Sequence, residues 1–316
     1  MNASEEMRLV RVVAVRDVAQ EIRLFELLPA DGRPLAAAAA GAHLDVTTPA
    51  GVVRQYSLCR ASKGERYEIA VKKETAGRGG SASMHERVTV GDCLAIAGPR
   101  NHFPLHEDAG RALLIAGGIG ITPILAMARS LAQQGKPWEL HYCARSAQQA
   151  AFVDELQALP AGQVHTWFSE TPLLDVRALL AAPREGVQVY CCGPVGLMEA
   201  VKHASAAWPQ DSVHFEWFSA PVHEHGAERA FEVELARYGR CFTVPADKSI
   251  LQVLREQGVE VASSCEAGVC GSCETAMLCG EADHRDMLLS EEERQANKSL
   301  MVCVSRAKSE RIVLDL

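Results

Sequence analysis

The stretch Cys265-Glu266-Ala267-Gly268-Val269-Cys270-Gly271-Ser272-Cys273, followed after 29 intervening residues by Cys303, determines how the last third of this chain folds. The spacing C-x4-C-x2-C with one distant cysteine is that of a plant-type [2Fe–2S] centre, in which four thiolates hold two irons. Small residues between the cysteines let backbone N–H groups approach sulfur, which bulky side chains would prevent. We therefore predict that Cys265, Cys270, Cys273 and Cys303 are metal ligands.

Zinc and simple buried thiols are the alternatives for the same cysteines. Zinc sites usually pair two C-x2-C units, or one C-x2-C with two histidines, and the x4 gap fits neither pattern. His102, His141 and His284 have no partner at metal-ligand spacing, so the sequence predicts no histidine metal site.

The composition narrows the class of protein. The chain has 316 residues, enough for two or three domains, and 48% of them are hydrophobic. The first residues lack the pattern of a signal peptide, and no apolar run is long enough to span a bilayer. Eleven cysteines without an export signal indicate a reducing compartment, so we expect a cytoplasmic protein that does not enter a membrane.

The charge is negative and unevenly distributed. The net charge of −8 argues against nucleic-acid binding, which requires a basic surface. Residues 232–316 carry fifteen acidic and ten basic side chains, a net charge of −5. This acidity either serves solubility or steers a protein partner to the cluster domain.

Three sequence patterns follow one another along the chain. Residues 1–106 contain short strands separated by turns and predict an antiparallel β-barrel. Residues 107–222 alternate strands with helices and predict an α/β domain with a parallel sheet. We interpret residues 223–231 as a linker and residues 232–316 as an α+β, plant-type ferredoxin (β-grasp) domain.

Two stretches of the barrel segment could bind a flavin phosphate. Arg54-Gln55-Tyr56-Ser57 ends a strand, where a guanidinium can grip phosphate and a tyrosine can lie against a flat ring. The segment Gly77-Arg78-Gly79-Gly80-Ser81-Ala82-Ser83 offers glycines and hydroxyls before a helical turn, which is a backbone cradle for phosphate. Together, upstream of a nucleotide-like domain, they predict a flavin site.

Two turns of the α/β segment could bind a nicotinamide nucleotide. Gly117-Gly118-Ile119-Gly120-Ile121-Thr122-Pro123 follows a strand directly, and its glycines let the turn approach a pyrophosphate. We expect Thr122 to be the N-cap of the next helix and Pro123 its first residue. Cys192-Gly193-Pro194 ends a later strand, at the sheet edge where ligands bind.

Two further residues lie at strand ends. Arg145 follows the second strand of the α/β segment and could meet an adenosine ribose, or reach a 2′-phosphate. Phe218 follows the last strand, where an aromatic ring could stack on a flavin, although core packing would also explain an aromatic residue there.

With these patterns in place, the chain resembles the phthalate dioxygenase reductase family, which includes the reductase subunits of vanillate demethylase. The resemblance covers essentially the full length, including the order of the domains. It rests on these motifs: Arg54-Gln55-Tyr56-Ser57, Gly79-Gly80-Ser81, the turn from Gly117 to Pro123, Cys192-Gly193-Pro194 and the four cluster cysteines. It implies an FMN-binding barrel, an NADH-binding domain, a C-terminal ferredoxin domain and a separate Rieske-type oxygenase as partner.

The resemblance also implies roles for individual residues. For the flavin, Arg54 and Ser81 would hold the FMN phosphate with Gly79, Gly80 and Lys72 nearby, Tyr56 and Ser57 would line the isoalloxazine, and Phe218 would cover the ring when nicotinamide is absent. For the nucleotide, Gly117, Gly118, Gly120, Thr122, Arg145, Gly193 and Pro194 would line the site, and Cys192 would lie near the carbon that transfers hydride. FAD is the alternative flavin, and NADPH the alternative nucleotide.

The three domains together predict a converter of two-electron into one-electron transfer. NADH releases two electrons as a hydride and a [2Fe–2S] cluster accepts one at a time, so a flavin must stand between them. We expect a monomer that reduces an oxygenase acting on an aromatic or related compound. The alternatives are a reductase for a diiron oxygenase or quinone, and a redox sensor without enzymatic activity.

Overall fold

The computed structural model describes residues 7–74, 79–106, 110–170, 172–220 and 229–316. The chain divides into two compact units, Met1–Phe218 and Ser219–Leu316. Most of the predicted linker, residues 223–228, lies outside the described residues, as do Gly77 and Arg78 of the predicted phosphate cradle. The domain boundaries at 106/107 and 231/232 therefore stay predictions.

The first unit begins with a six-stranded antiparallel sheet. Its strands and one helix are β1 (Arg8–Ala19), β2 (Ile22–Pro29), β3 (His43–Thr47), β4 (Val53–Ser57), β5 (Tyr67–Lys72), α1 (Gly80–Arg87) and β6 (Cys93–Arg100). The strand order is β4-β3-β6-β1-β2-β5. A bridge between Leu58 and Ile69 joins the two outer strands, so the sheet curves into the predicted barrel.

The core of the barrel follows from its apolar residues. On β1, Val10 and Val12 are fully buried, and on β2 the same holds for Phe25 and Leu27. These side chains pack with residues of β3, β5 and β6 into one cluster.

The second half of the first unit is a five-stranded parallel sheet with helices between its strands. Its elements are β7 (Arg111–Gly117), α2 (Ile121–Gln133), β8 (Trp138–Ala144), α3 (Val153–Ala158), β9 (Gly162–Phe168), α4 (Val176–Leu179), β10 (Val187–Cys192), α5 (Val195–Ala204) and β11 (Val213–Glu216). The order is β11-β10-β7-β8-β9, which confirms the predicted α/β architecture. The central strand β7 is buried on both faces from Ala112 to Ala116, as its continuous apolar run predicts.

The prediction for the start of α2 was wrong. A 3-10 turn, Gly118–Gly120, runs directly into a helix that begins at Ile121, so Thr122 lies inside the first turn. Its hydroxyl donates to the carbonyl of Ile119 at 3.0 Å instead of accepting from a backbone N–H. The glycines allow the tighter turn to form first, which moves the helix start two residues ahead of Pro123.

The barrel and the α/β half share a hydrophobic core. Ile22, Leu24 and Phe103 pack in the same cluster as buried side chains of α2 and β8. Arg129 of α2 reinforces this contact by donating to the carbonyl of Cys59 at 2.8 Å and to the Glu68 carboxylate at 2.9 Å. The segment after β4 and strand β5 are therefore held against helix α2.

The second unit is a mixed sheet covered by a helix. Its elements are β12 (Phe231–Leu235), β13 (Arg240–Val244), α6 (Ile250–Glu256), β14 (Glu274–Cys279), β15 (Ala282–Asp283), α7 (Glu291–Ala296), β16 (Ser299–Met301), β17 (Arg306–Ala307) and β18 (Arg311–Leu314). The main sheet has the order β13-β12-β18-β14-β16, with β12 and β18 parallel, and β15 pairs with β17. This arrangement confirms the predicted β-grasp domain, with the cysteine loop between α6 and β14.

Among the described residues, no helix is both long enough and apolar enough to cross a membrane.

Candidate electron-transfer sites

The predicted phosphate cradle forms at the N-terminus of α1. Gly79 caps the helix with a left-handed backbone, φ 80°, that glycine adopts without strain. A Cβ atom on Gly80 would lie 3.1 Å from Cγ and 3.3 Å from Nε of Arg54. The absence of a side chain at Gly80 therefore lets Arg54 lie along the start of the helix, where backbone N–H groups and a guanidinium can hold one anion.

Two other predicted residues lie near this cradle. The Ser81 hydroxyl accepts a hydrogen bond from the backbone N–H of Glu74 at 3.0 Å. Lys72, at the end of β5, forms an ion pair with the Glu74 carboxylate at 2.6 Å. Glu74 thus joins the end of β5 to the start of α1.

The ring side of the flavin site has an unsatisfied polar atom. The hydroxyl of Tyr56 is buried, and none of the described residues lies within hydrogen-bonding distance of it. Burial also raises the pKa of Tyr56 to about 12. A buried phenol without a partner is costly, and a bound flavin beside it would supply the missing hydrogen bond.

Next to Tyr56, three elements bring polar side chains together. The hydroxyl of Ser57 donates to Oε2 of Glu216 at 3.2 Å, and Nδ1 of His43 lies 4.0 Å from Oε1 of the same carboxyl group. His43 faces Ser57 across the β3–β4 pair, and Cys192 faces Glu216 across β10–β11. This Ser57–Glu216–Cys192 cluster, with His43 at its side, lies where the barrel meets the carboxyl edge of the parallel sheet.

Burial determines the protonation of this cluster. It raises the pKa of Glu216 to about 8, so this carboxyl group is neutral at pH 7. Burial, with the positive charge of Arg100 adding to it, lowers the pKa of His43 to about 4, so the imidazole is neutral as well. The thiol of Cys192 is also neutral, because burial and the nearby Glu216 raise its pKa.

Sequence reasoning missed Glu216 and His43 as site residues. Glu216 is the last residue of β11, and a charged residue at the carboxyl end of a parallel strand is a usable signal. His43 gives no such signal, because only the pairing of β3 with β4 places it beside Ser57.

The two predicted nucleotide turns pack against each other. A Cβ atom on Gly117 would lie 2.5 Å from Cδ of Pro194, and one on Gly120 would lie 2.3 Å from the carbonyl oxygen of Cys192. Gly118 has φ +52°, and a Cβ there would have nothing within 4 Å. The turns after β7 and β10 therefore meet through glycine backbones and leave Gly118 facing open space at the ligand edge of the sheet.

Of the remaining predicted nucleotide and flavin residues, two are at the surface and one is buried. Arg145 is exposed at the end of β8, where its carbonyl accepts from the N–H of Ser169 at 3.3 Å. Phe218 is 40% exposed at the end of the first unit. Thr122 is buried, and its hydroxyl donates to a carbonyl of its own turn, so its side chain supports the nucleotide turn from within the protein.

The four cluster cysteines lie together in the second unit as two pairs. Cys265 and Cys270 are close enough for each thiol to shift the pKa of the other, and the same holds for Cys273 and Cys303. Cys265 lowers the pKa of the Cys270 thiol, which favours a thiolate at Cys270. Each pair has the donors for one of two irons, so the set fits a [2Fe–2S] cluster.

The loop around these cysteines has the backbone that ligation requires. Gly268 and Gly271 have φ values of +68° and +75°, which favour glycine. The N–H of Ala267 donates to Sγ of Cys265 at 3.3 Å, and Sγ of Cys270 lies 3.2 Å from the hydroxyl of Ser272. The small residues thus provide donors to sulfur, as the sequence predicts. Cys279 is exposed on β14 and is not one of the four.

Known proteins with the same domains match this chain closely. Residues 233–308 match the model of the 2Fe-2S iron-sulfur cluster binding domain, and residues 114–203 match that of the oxidoreductase NAD-binding domain. The phthalate 4,5-dioxygenase oxygenase reductase subunit of Pseudomonas putida is 43% identical, with 97% of this chain and 96% of the relative covered. The vanillate O-demethylase oxidoreductase of Pseudomonas putida is 45% identical, with 96% of this chain and 98% of the relative covered.

A solved structure has the same architecture. It is that of phthalate dioxygenase reductase, titled a modular structure for electron transfer from pyridine nucleotides to [2Fe–2S], with a TM-score of 0.73, 42% identity and 98% of both chains covered. Full-length identity above 40% is far more than a shared fold requires. Taken with a flavin cradle, a nucleotide edge and four paired cysteines, it shows that this chain belongs to the phthalate dioxygenase reductase family, whose members carry electrons from NADH through FMN to a [2Fe–2S] cluster.

Proposed function

We propose that this chain is the reductase component of a two-component oxygenase and delivers single electrons to a separate Rieske-type oxygenase that acts on an aromatic or related compound. The observation that carries the proposal is the Ser57–Glu216–Cys192 cluster, where the flavin barrel and the nucleotide edge meet within one unit. The relatives, named as reductases of a phthalate dioxygenase and a vanillate demethylase, support an oxygenase as acceptor. The proposal includes a cytoplasmic location, which the set of free cysteines supports, and a monomeric state.

The flavin would be held at both of its ends. Arg54, the N-terminus of α1 at Gly79 and Gly80, and Ser81 would bind the phosphate, with Lys72 adding positive charge. Tyr56 and Ser57 would contact the ring, and the exposed Phe218 would cover the ring face until nicotinamide replaces it.

The nucleotide would bind along the carboxyl edge of the parallel sheet. Gly117, Gly118 and Gly120 allow a pyrophosphate to approach the backbone, and Gly193 and Pro194 form the opposite wall. Arg145, two strands away from Cys192 along the sheet, would meet the adenosine end. Cys192 and Thr122 would then lie at the nicotinamide end, where their buried, neutral side chains exclude water.

A bound FMN would supply the chemistry between NADH and the cluster, since a flavin can take up a hydride and release electrons one at a time. The chain prepares this chemistry by keeping the neighbouring groups uncharged. Neutral Glu216, hydrogen-bonded to Ser57, holds a proton beside the ring without placing a negative charge where hydride arrives. The second unit supplies the single-electron stage through its four cysteines.

The experiment that tests the proposal separates the two stages. Cys273→Ser should abolish reduction of cytochrome c or of the oxygenase, because the cluster is lost, and should spare NADH-dependent reduction of ferricyanide by the flavin. Cys279→Ser is the matched control, since Cys279 lies on the neighbouring strand outside the four ligands and should change neither activity. If Cys273→Ser keeps both activities, the cluster is not on the electron path and the proposal is wrong.

A further inference from the structure

We propose that Glu139, His141 and His165 bind a divalent transition-metal ion of the zinc class on the outer face of the parallel sheet. Two histidines and one glutamate form a donor set that zinc accepts in proteins. The three residues have no ligand spacing in the sequence, so only the fold brings them together.

The sheet fixes these side chains on one face. Glu139 and His141 are two residues apart on β8, and His165 lies directly beside His141 in the β8–β9 register. Side chains two apart on a strand point the same way, and so do direct neighbours on adjacent strands. The opposite face carries Trp138, Leu140 and Tyr142, which are buried in the core and hold β8 in place.

The donor atoms are already close to the separation that an ion needs. Oε1 of Glu139 lies 3.2 Å from Nε2 of His141 and 3.8 Å from Nε2 of His165, and all three donor atoms lie within 4.8 Å of one another. Donors bonded tetrahedrally at about 2.1 Å from zinc stand about 3.4 Å apart. Small side-chain rotations would therefore complete three bonds.

The site is half enclosed and open to solvent on one side. The side chains of His141 and Glu139 are 8% and 15% exposed, whereas that of His165, on the edge strand β9, is 45% exposed. An ion could enter past His165 and keep a water as its fourth ligand.

Two arginines oppose the ion but leave one carboxylate oxygen for it. Oε2 of Glu139 lies 2.9 Å from Nη2 of Arg111 and 3.7 Å from Nη1 of Arg184. The other oxygen, Oε1, faces the imidazoles of His141 and His165. The positive charges of the two arginines lower the affinity for a cation without occupying its position. Removal of one arginine charge should therefore strengthen ion binding.

A hydrogen bond from Trp167 also opposes ion binding, and its effect on the affinity can be measured. The indole N–H donates to Nδ1 of His141 at 3.2 Å, so without an ion the proton of this imidazole is on Nε2. An ion at Nε2 displaces that proton to Nδ1, and the indole must then turn away. Trp167→Phe removes the competing donor and should also strengthen ion binding.

The position of the cluster separates it from the redox sites. Glu139 is the second of seven residues in β8, and His141 and His165 are the central residues of β8 and β9, so the cluster lies between the amino ends and the middle of these strands. The nucleotide turns lie at the carboxyl ends. An ion would join the edge strand β9 to β8, which stabilises the domain and leaves electron transfer unchanged.

The test is a calorimetric titration of the holoprotein with zinc chloride, with the visible spectrum recorded to verify that flavin and cluster remain bound. We expect His165→Gln to weaken binding at least about tenfold, and Trp167→Phe and Arg184→Gln each to strengthen it several-fold. His203→Gln is the matched control, because His203 is exposed on α5 beside Glu199 and should not change the titration. Bound zinc should also raise the unfolding temperature of the wild type but not that of His165→Gln.

Three results would overturn the proposal. They are equal zinc binding by wild type and His165→Gln, weaker binding by Trp167→Phe, and a zinc-induced rise in unfolding temperature that His165→Gln retains. Since His165 is half exposed, its substitution should not prevent folding; Glu139→Gln, which keeps the shape of the side chain, provides a second variant that must also lose zinc.

Discussion

Glu216 joins the two halves of the first unit at a single carboxyl group. It ends β11, accepts a hydrogen bond from Ser57 of the barrel and lies beside Cys192 of the parallel sheet. Its side chain is 13% exposed, and His43 on its other side is neutral, so none of the described residues places a cation there to compensate a negative charge. The carboxyl group of Glu216 is therefore protonated at neutral pH, and its ionisation at higher pH should change both stability and activity.

The first prediction concerns this pH dependence. The pKa of Glu216 is raised from 4.5 to about 8, so the native state holds a proton that the unfolded chain releases between these values. The free energy of unfolding should therefore fall as pH rises through this window, with a slope of about 1.4 kcal/mol per pH unit from this group. Urea unfolding of wild type and Glu216→Gln at pH 5, 6.5 and 8 should show that the variant lacks this slope.

The rate of flavin reduction by NADH should also depend on the protonation of Glu216. Above pH 8 the ionised carboxylate opposes the arrival of hydride, so flavin reduction by NADH in stopped-flow measurements should slow in the wild type and remain level in Glu216→Gln. Identical pH profiles of the two proteins would show that Glu216 does not titrate beside the flavin.

At the scale of elements, the nucleotide edge depends on two turns that only glycine backbones can form. The turns after β7 and β10 approach until a Cβ atom on Gly120 would lie 2.3 Å from the carbonyl oxygen of Cys192. That oxygen belongs to the backbone of a buried strand and cannot move independently. The closeness of these turns sets the width of the nucleotide site.

We predict that Gly120→Ala separates the two turns. It should lower stability by about 1–3 kcal/mol, the usual cost of overpacking, and raise KM for NADH with little change in FMN affinity. Gly196→Ala on α5 is the control, since a Cβ there has nothing within 4 Å and should be neutral or slightly stabilising. An unchanged KM for NADH in Gly120→Ala would remove this turn from the nucleotide site.

The same scale shows which parts of the fold can be predicted from sequence. Alternating strands and helices predict the parallel sheet, and the cysteine spacing predicts the cluster loop, because both depend on local order along the chain. The predicted start of α2 was wrong because a 3-10 turn can precede a helix in place of a capping threonine, at little cost in free energy. His43 beside Glu216, and His165 beside Glu139, depend on strand pairing between distant segments, which no local pattern contains.

At the scale of the whole molecule, a partly buried arginine connects the barrel to the α/β half. Arg129 contacts the Cys59 carbonyl, Glu68 and Glu155, and Glu68 is only 5% exposed on its side chain. The ion pair therefore lies in the shared core, where loss of one partner leaves a buried charge with fewer contacts.

We predict that Arg129→Met destabilises the first unit by about 3 kcal/mol, because Glu68 loses its most buried cationic partner and keeps the more exposed Arg60 and Arg66. Flavin reduction by NADH should slow, since the barrel and the nucleotide edge lose their fixed distance. Arg16→Met is the control: Arg16 is 61% exposed in its pair with Glu26, and its loss should change stability by less than about 0.5 kcal/mol. Thermal unfolding and stopped-flow reduction measure the two effects, and equal behaviour of both variants would contradict the prediction.

The unequal charge of the chain predicts how the second unit meets its acceptor. Residues 232–316 carry a net charge of −5, and Glu291 and Glu292 are exposed on α7, which Arg294 connects to Asp286 beside the cluster loop. A basic acceptor such as cytochrome c should therefore be reduced several-fold more slowly when salt rises from 0.02 to 0.5 M, because screening shortens the range of attraction.

The double variant Glu291→Lys with Glu292→Lys should slow this reaction at low salt and flatten its salt dependence. Flavin reduction by NADH, which does not involve this surface, should not change between variant and wild type. A salt dependence that the double variant retains in full would place the docking surface elsewhere on the molecule.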